Sequence, residues 1–126
     1  MHQTHGDTTA FSKRAKRLEV SLERIANACD PLERLRALIY PSAWSPESPV
    51  QTADQPQLLA LSLEFARTQF TLLGKCDANE LAADFIARLC GAFTLGSALG
   101  DADGLQDQLG RIELWLEGSI YGAKRV

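Results

Sequence analysis

Residues 77–122 read DANELAADFIARLCGAFTLGSALGDADGLQDQLGRIELWLEGSIYG, and this stretch decides the fold class. Asp77-Ala78-Asn79-Glu80 has the form of a capping box, which satisfies the free amides at the start of a helix. Behind it, Leu81, Phe85, Leu89 and Phe93 recur at four-residue steps, the spacing of one helical face. Gly100 suits the left-handed residue that closes such a helix. Asp101 or Asp103 then opens a last helix with the stripe Leu105, Leu109, Ile112 and Leu116, flanked by Trp115 and Ile120 and stopped by Gly122. Ala92, Gly96 and Gly100 also repeat at four-residue intervals. A glycine inside a helix costs about 1 kcal/mol against alanine, so a close neighbouring helix is expected to offset it. A two-fold contact between copies would bury such a stripe. The sequence therefore predicts a homodimer whose interface uses Ala92, Gly96, Gly100, Leu109, Ile112 and Leu116, with packing inside the chain as the alternative.

Upstream, the pattern stays helical. Asp54 is placed to cap a helix with Pro56 in its first turn. Leu58, Leu61, Phe65 and Leu72 form one stripe, and Leu59, Leu63, Ala66, Phe70 and Leu73 widen it before Gly74 ends the run. A helix apolar on two sides is either central to a core or covered by a partner. Residues 41–54 hold Pro41, Pro46 and Pro49 with Trp44 as the only large apolar side chain, which reads as a long loop. Trp44 is either a plug onto the core or an aromatic anchor for a partner. Asp30-Pro31-Leu32-Glu33 opens a short helix that ends before Pro41. Before it, Phe11, Ala15, Leu18, Leu22, Ile25 and Cys29 alternate steps of four and three, one helical face about five turns long. Thr8 or Thr9 is the expected cap, residues 1–8 are expected to fray, and residues 123–126 form a tail. The expectation is an all-α fold, four to five amphipathic helices in a small bundle over residues 9–122, with the last two helices at the dimer interface.

Composition narrows the function classes. The 126 residues suffice for one core, and 45% hydrophobic with 23% charged residues is ordinary for a globular chain. The net charge is -3, with Lys and Arg in slight excess over residues 1–36 and Asp and Glu in excess beyond. That is not the basic footprint of a nucleic-acid binder. Neither a secretory signal nor a membrane-spanning run is readable, so the cytosol is the expected compartment. Cys29, Cys76 and Cys90 have no metal or redox spacing and read as reduced thiols, at least two of them buried.

Catalytic patterns are missing. The two histidines, His2 and His5, lie in the N-terminal segment, which leaves the remaining chain without triads, Cys–His dyads or histidine metal ligands. No glycine-rich phosphate loop follows a strand. Asp84 and Arg88 read as a helical ion pair, and Glu113 and Glu117 as a polar face. No enzyme activity, cofactor or metal is expected. A protein-binding role is, with a groove lined by Leu61, Phe65 and Phe70 and rimmed by Trp44 as the docking site.

The stretch Ala10–Ile39, ending Cys-Asp-Pro-Leu-Glu-Arg-Leu-Arg-Ala-Leu-Ile, resembles the linking helix and following helix start of TetR-type regulators. The pair Leu81–Leu99 and Leu105–Ile120 is similar to the two helices of that family's dimer bundle. No helix-turn-helix precedes residue 10, so the resemblance implies a ligand-sensing and dimerisation part without direct DNA binding. In overall build the chain also resembles the small all-helical bacterial anti-activators, which seize a LuxR-type quorum-sensing regulator. Three function classes follow: a protein-binding regulator of transcription of the anti-activator type, a TetR-like sensor of apolar small molecules, and an assembly or chaperone-like protein.

Overall fold

The computed structural model describes residues 2–40 and 56–121, the side chains of 2–12, 14, 56–58 and 97 excepted. Among these residues the chain forms five α-helices and no strand: α1 (His2–Ala28), α2 (Pro31–Ile39), α3 (Pro56–Leu72), α4 (Ala78–Leu99) and α5 (Ala102–Tyr121). No helix among them is long and apolar enough to cross a membrane. Trp44, the 41–54 loop, the Asp54 cap, Gly122 and the tail lie outside the described residues.

Local chemistry explains several helix ends. Asp30 Oδ1 accepts the Glu33 N–H at 2.9 Å, with Pro31 in the first helical position of α2. Asp101 does the same for α5, accepting the Gly104 N–H at 2.9 Å. Gly100 closes α4 in the left-handed region at φ 61°, and Gly74 follows α3 at φ 84°. Two expected caps differ. Asp77 precedes α4 but makes no side-chain capping bond, because its backbone, at φ -100° and ψ 36°, is outside the extended region that aims an N-cap side chain at the first turn. Helix α1 begins at His2, so Thr8 and Thr9 fall within it instead of capping it. Extending a formed helix adds a hydrogen bond per residue, while starting one is costly.

Short turns fold α3, α4 and α5 back on one another. Gly96 touches Leu105 at one end of the α4–α5 pair, and at the other Lys75 Nζ donates to the Ile120 carbonyl at 3.0 Å. That ammonium meets one of the free carbonyls at the C-terminal end of α5, where a cation is also favoured by the helix dipole. Helix α4 packs against both α3 and α5, and α2 also contacts both of them. The core gathers Leu18 and Leu22 of α1, Leu35, Leu38 and Ile39 of α2, Ala66 and Phe70 of α3, Phe85 and Leu89 of α4, and Leu109, Ile112 and Leu116 of α5.

Helix α3 resolves its own ambiguity. Its inward side is Leu59, Leu61, Ser62, Phe65, Ala66, Gln69 and Phe70, with Leu73 just past its end, whereas Leu72 is 58% exposed. The buried face therefore includes two polar residues. Gln69 is held by Arg34, whose Nη1 donates to its Oε1 at 2.9 Å, and it donates in turn to the Phe65 carbonyl at 3.1 Å. Arg34 Nε also donates to the Cys29 carbonyl at 2.7 Å, tying the end of α1 to α2 and α3.

Candidate functional site

From Leu89 to Gly100 helix α4 carries no charged side chain. Its solvent side nonetheless runs through Ala87, Gly91, Thr94, Leu95, Ala98 and Leu99, all exposed, with Leu95 at 58% and Leu99 at 73%. Isolated exposed leucines are ordinary, but a contiguous apolar helix face is a mark of contact surfaces. Small residues at Ala87, Gly91 and Ala98 leave the leucines standing proud.

Beside this face, a cleft of about 310 Å³ opens between α4 and α5, lined by Arg88, Gly91, Ala92, Leu95, Gln108, Arg111 and Ile112. The absence of a side chain at Gly91 deepens it, since a Cβ there would meet nothing within 4 Å. Arg88 is positioned from the core outward. Phe70 packs edge-on to Phe85 at 6.2 Å, and Phe85 stacks on Trp115 at 6.3 Å and 8°. Trp115 in turn carries the Arg88 guanidinium 4.6 Å above its ring. The Asp84–Arg88 ion pair expected from spacing therefore does not form, because the indole face competes for the same guanidinium.

A second, wider opening of about 730 Å³ lies at the α4–α5 corner, lined by Phe93, Thr94, Gly96, Ala98, Gly100, Asp101, Ala102 and Leu105. A polar cluster joins α2 and α5. There Arg36 reaches Glu33, Glu113 at 3.4 Å and Glu117 at 2.6 Å, and the Tyr40 hydroxyl donates to Glu113 at 3.0 Å. Bonding to Glu117 dominates in raising the Arg36 pKa, while burial, then the bond to Glu113, pushes the Tyr40 phenol above its ordinary value. These contacts clip α2 to α5.

The residues singled out from the sequence are distributed differently. Leu61 and Phe65 are half-buried and pack on the core, and Phe70 is fully buried within it. Trp44 lies outside the described residues, so no groove joining the four is formed by the described part. Leu109, Ile112 and Leu116 are buried inside a single chain, as is Ala92. Gly96 meets Leu105 of the same chain, where an added Cβ would stand 3.2 Å from the Leu105 Cβ. Gly100 is the α4 cap. The small-residue stripe is thus accounted for mainly by packing of α5 on α4. Cys29 and Cys90 are half-buried and Cys76 is exposed, so none is a fully buried thiol. Burial raises the Cys90 pKa, which disfavours its thiolate at neutral pH. Among the described residues no cluster of His, Cys, Asp or Glu could hold a metal.

Sequence reasoning missed Leu95, Leu99, Arg88 and Arg111 as surface features. The uncharged run from Leu89 to Gly100 was the available signal, since a helix with one buried face normally carries charge on the other. Comparison with protein-family models, curated proteins and solved structures gives no significant match.

Proposed function

We propose that this chain is a non-enzymatic regulator that acts by binding another protein, as a bacterial, cytoplasmic anti-activator that sequesters a transcription regulator of the LuxR quorum-sensing type. The observation that carries the protein-binding reading is the uncharged outer face of α4, with Leu95 and Leu99 exposed. Covering a leucine side chain is worth about 1.5–3 kcal/mol, enough for two of them to anchor a contact. The choice of a LuxR-type partner rests on resemblance in overall build.

The test is affinity capture from the native cell, comparing the unaltered chain with Leu95→Glu/Leu99→Glu. A transcription regulator enriched on the first and lost on the second, with unchanged circular dichroism, is the expected result. Equal recovery on both would remove α4 as the contact face.

A homodimer is part of this reading. Its support is Leu114, 70% exposed on α5 between Gly110 and Gly118, where added Cβ atoms would meet nothing. Light scattering at tens of micromolar should give twice the chain mass, and Leu114→Lys should halve it. The wider cleft beside Phe93 and Leu105 favours a second reading, a TetR-like sensor of an apolar ligand. Such a sensor would be thermally stabilised by an extract of apolar metabolites, and Phe93→Glu would remove the effect.

A further inference from the structure

Arg88 of α4 and Arg111 of α5 both line the smaller cleft. Each has an aspartate four residues earlier, Asp84 and Asp107, at the spacing that supports ion pairs along a helix. Neither pair forms. Arg88 lies over Trp115, and no carboxylate among the described residues holds Arg111. Elsewhere the arginines Arg36 and Arg67 are engaged by glutamates. The cleft lining contains no acidic residue, and besides the two arginines it holds Gly91, Ala92, Leu95, Ile112 and Gln108. Asp84 and Asp107 lie outside the lining, so the charged side chains of the cleft itself are the two arginines, beside an apolar strip.

Resting on the reading of the chain as a protein-binding regulator, we propose that the α4–α5 cleft receives an acidic amphipathic helix of the partner protein. Two adjacent helices offer a groove into which a third can lay its apolar side. Leucine-like residues at i, i+3 and i+4 of the incoming helix cover Gly91, Leu95 and Ile112. Carboxylates beside that stripe meet Arg88 and Arg111, the charged residues of the cleft lining. Apolar burial supplies the affinity, and the paired charges select an acidic helix over a neutral or basic one.

The probe is a fluorescein-labelled helical peptide of about eighteen residues, roughly 27 Å long, with leucines at every third and fourth position and glutamates on both flanks. A second peptide carries lysine at each glutamate position. Fluorescence anisotropy should show saturable binding of the acidic peptide to the full chain, weakened about tenfold by Arg88→Glu/Arg111→Glu as two exposed ion pairs are lost. The lysine peptide should bind the doubly reversed chain better than the unaltered one. Both arginines are exposed, and circular dichroism on the doubly neutralised Arg88→Gln/Arg111→Gln chain separates lost charge from lost fold. Acidic-peptide binding that is absent, unaffected by either arginine variant, or unaffected by Leu95→Glu overturns the proposal. Self-association that depends on Arg88 and Arg111 and excludes the peptide also overturns it, by making a second copy the occupant. If native-partner capture needs Leu95 and Leu99 but ignores both arginine variants, the acidic helix fails while the protein-binding reading stands.

Discussion

Gly91 and Gly96 lie on the same helix and should respond in opposite directions to one added methyl group. At Gly91 a Cβ enters open space, so Gly91→Ala gains the helix-propensity difference, about 1 kcal/mol. At Gly96 a Cβ crowds the Leu105 Cβ at 3.2 Å, an atom fixed close to the α5 backbone. Overpacking costs about 1–3 kcal/mol, which exceeds the propensity gain, so Gly96→Ala lowers stability by roughly 1 kcal/mol. Urea denaturation of the two variants checks both signs. Equal gains would mean that α4 and α5 can separate without loss.

Among the described residues, Asp30, Asp77 and Asp101 each directly precede a helix, and of these Asp30 and Asp101 act as caps. Asp30→Ala and Asp101→Ala each remove a 2.9 Å bond to a first-turn amide and should cost about 1 kcal/mol. Asp77→Ala removes no such bond and should stay within about 0.5 kcal/mol of the unaltered chain. Thermal melts of the three variants are enough to rank them. A loss at Asp77 as large as at Asp30 would show that Asp77 adopts the capping conformation in solution. Helix α5 is secured at its other end by a distant group, the Lys75 ammonium on the Ile120 carbonyl. One of its last carbonyls is therefore met from the turn between α3 and α4.

For the molecule as a whole, the polar clip between α2 and α5 ties the short helix to the bundle. Arg36 is the shared donor to Glu33 and Glu117 and pairs with Glu113, and Arg36→Met should lower stability by about 1 kcal/mol, a partly exposed network being weak per contact. Tyr40 adds a pH dependence. Its folded pKa lies above the ordinary value of 10.0, so its contribution is complete below that pH. It is lost as pH rises through the raised folded value, because the unfolded chain releases the proton first. Stability followed by denaturant titration should therefore decline above about pH 10, and Tyr40→Phe should flatten the part of that decline due to Tyr40. An unchanged alkaline slope in Tyr40→Phe would place the hydroxyl in solvent, away from Glu113.

The sequence by itself determined the all-α class, the ends of α2, the C-terminal end of α4 and the inward stripe of α5. Helical periodicity, a cap such as Asp30 and a left-handed glycine such as Gly100 depend on residues within a turn or two of one another. Tertiary structure decided everything that required a choice between competing partners. Helix α3 had two apolar faces, and packing against α4 and α2 selected the one holding Ser62 and Gln69 while leaving Leu72 in solvent. Gly96 needed a close neighbour, and the hairpin supplied Leu105 from within the chain. Arg88 had Asp84 one turn away and took the Trp115 face, which comes within reach only when α5 folds back along α4. Local spacing makes such contacts possible, but which one forms depends on surfaces brought together from distant parts of the chain.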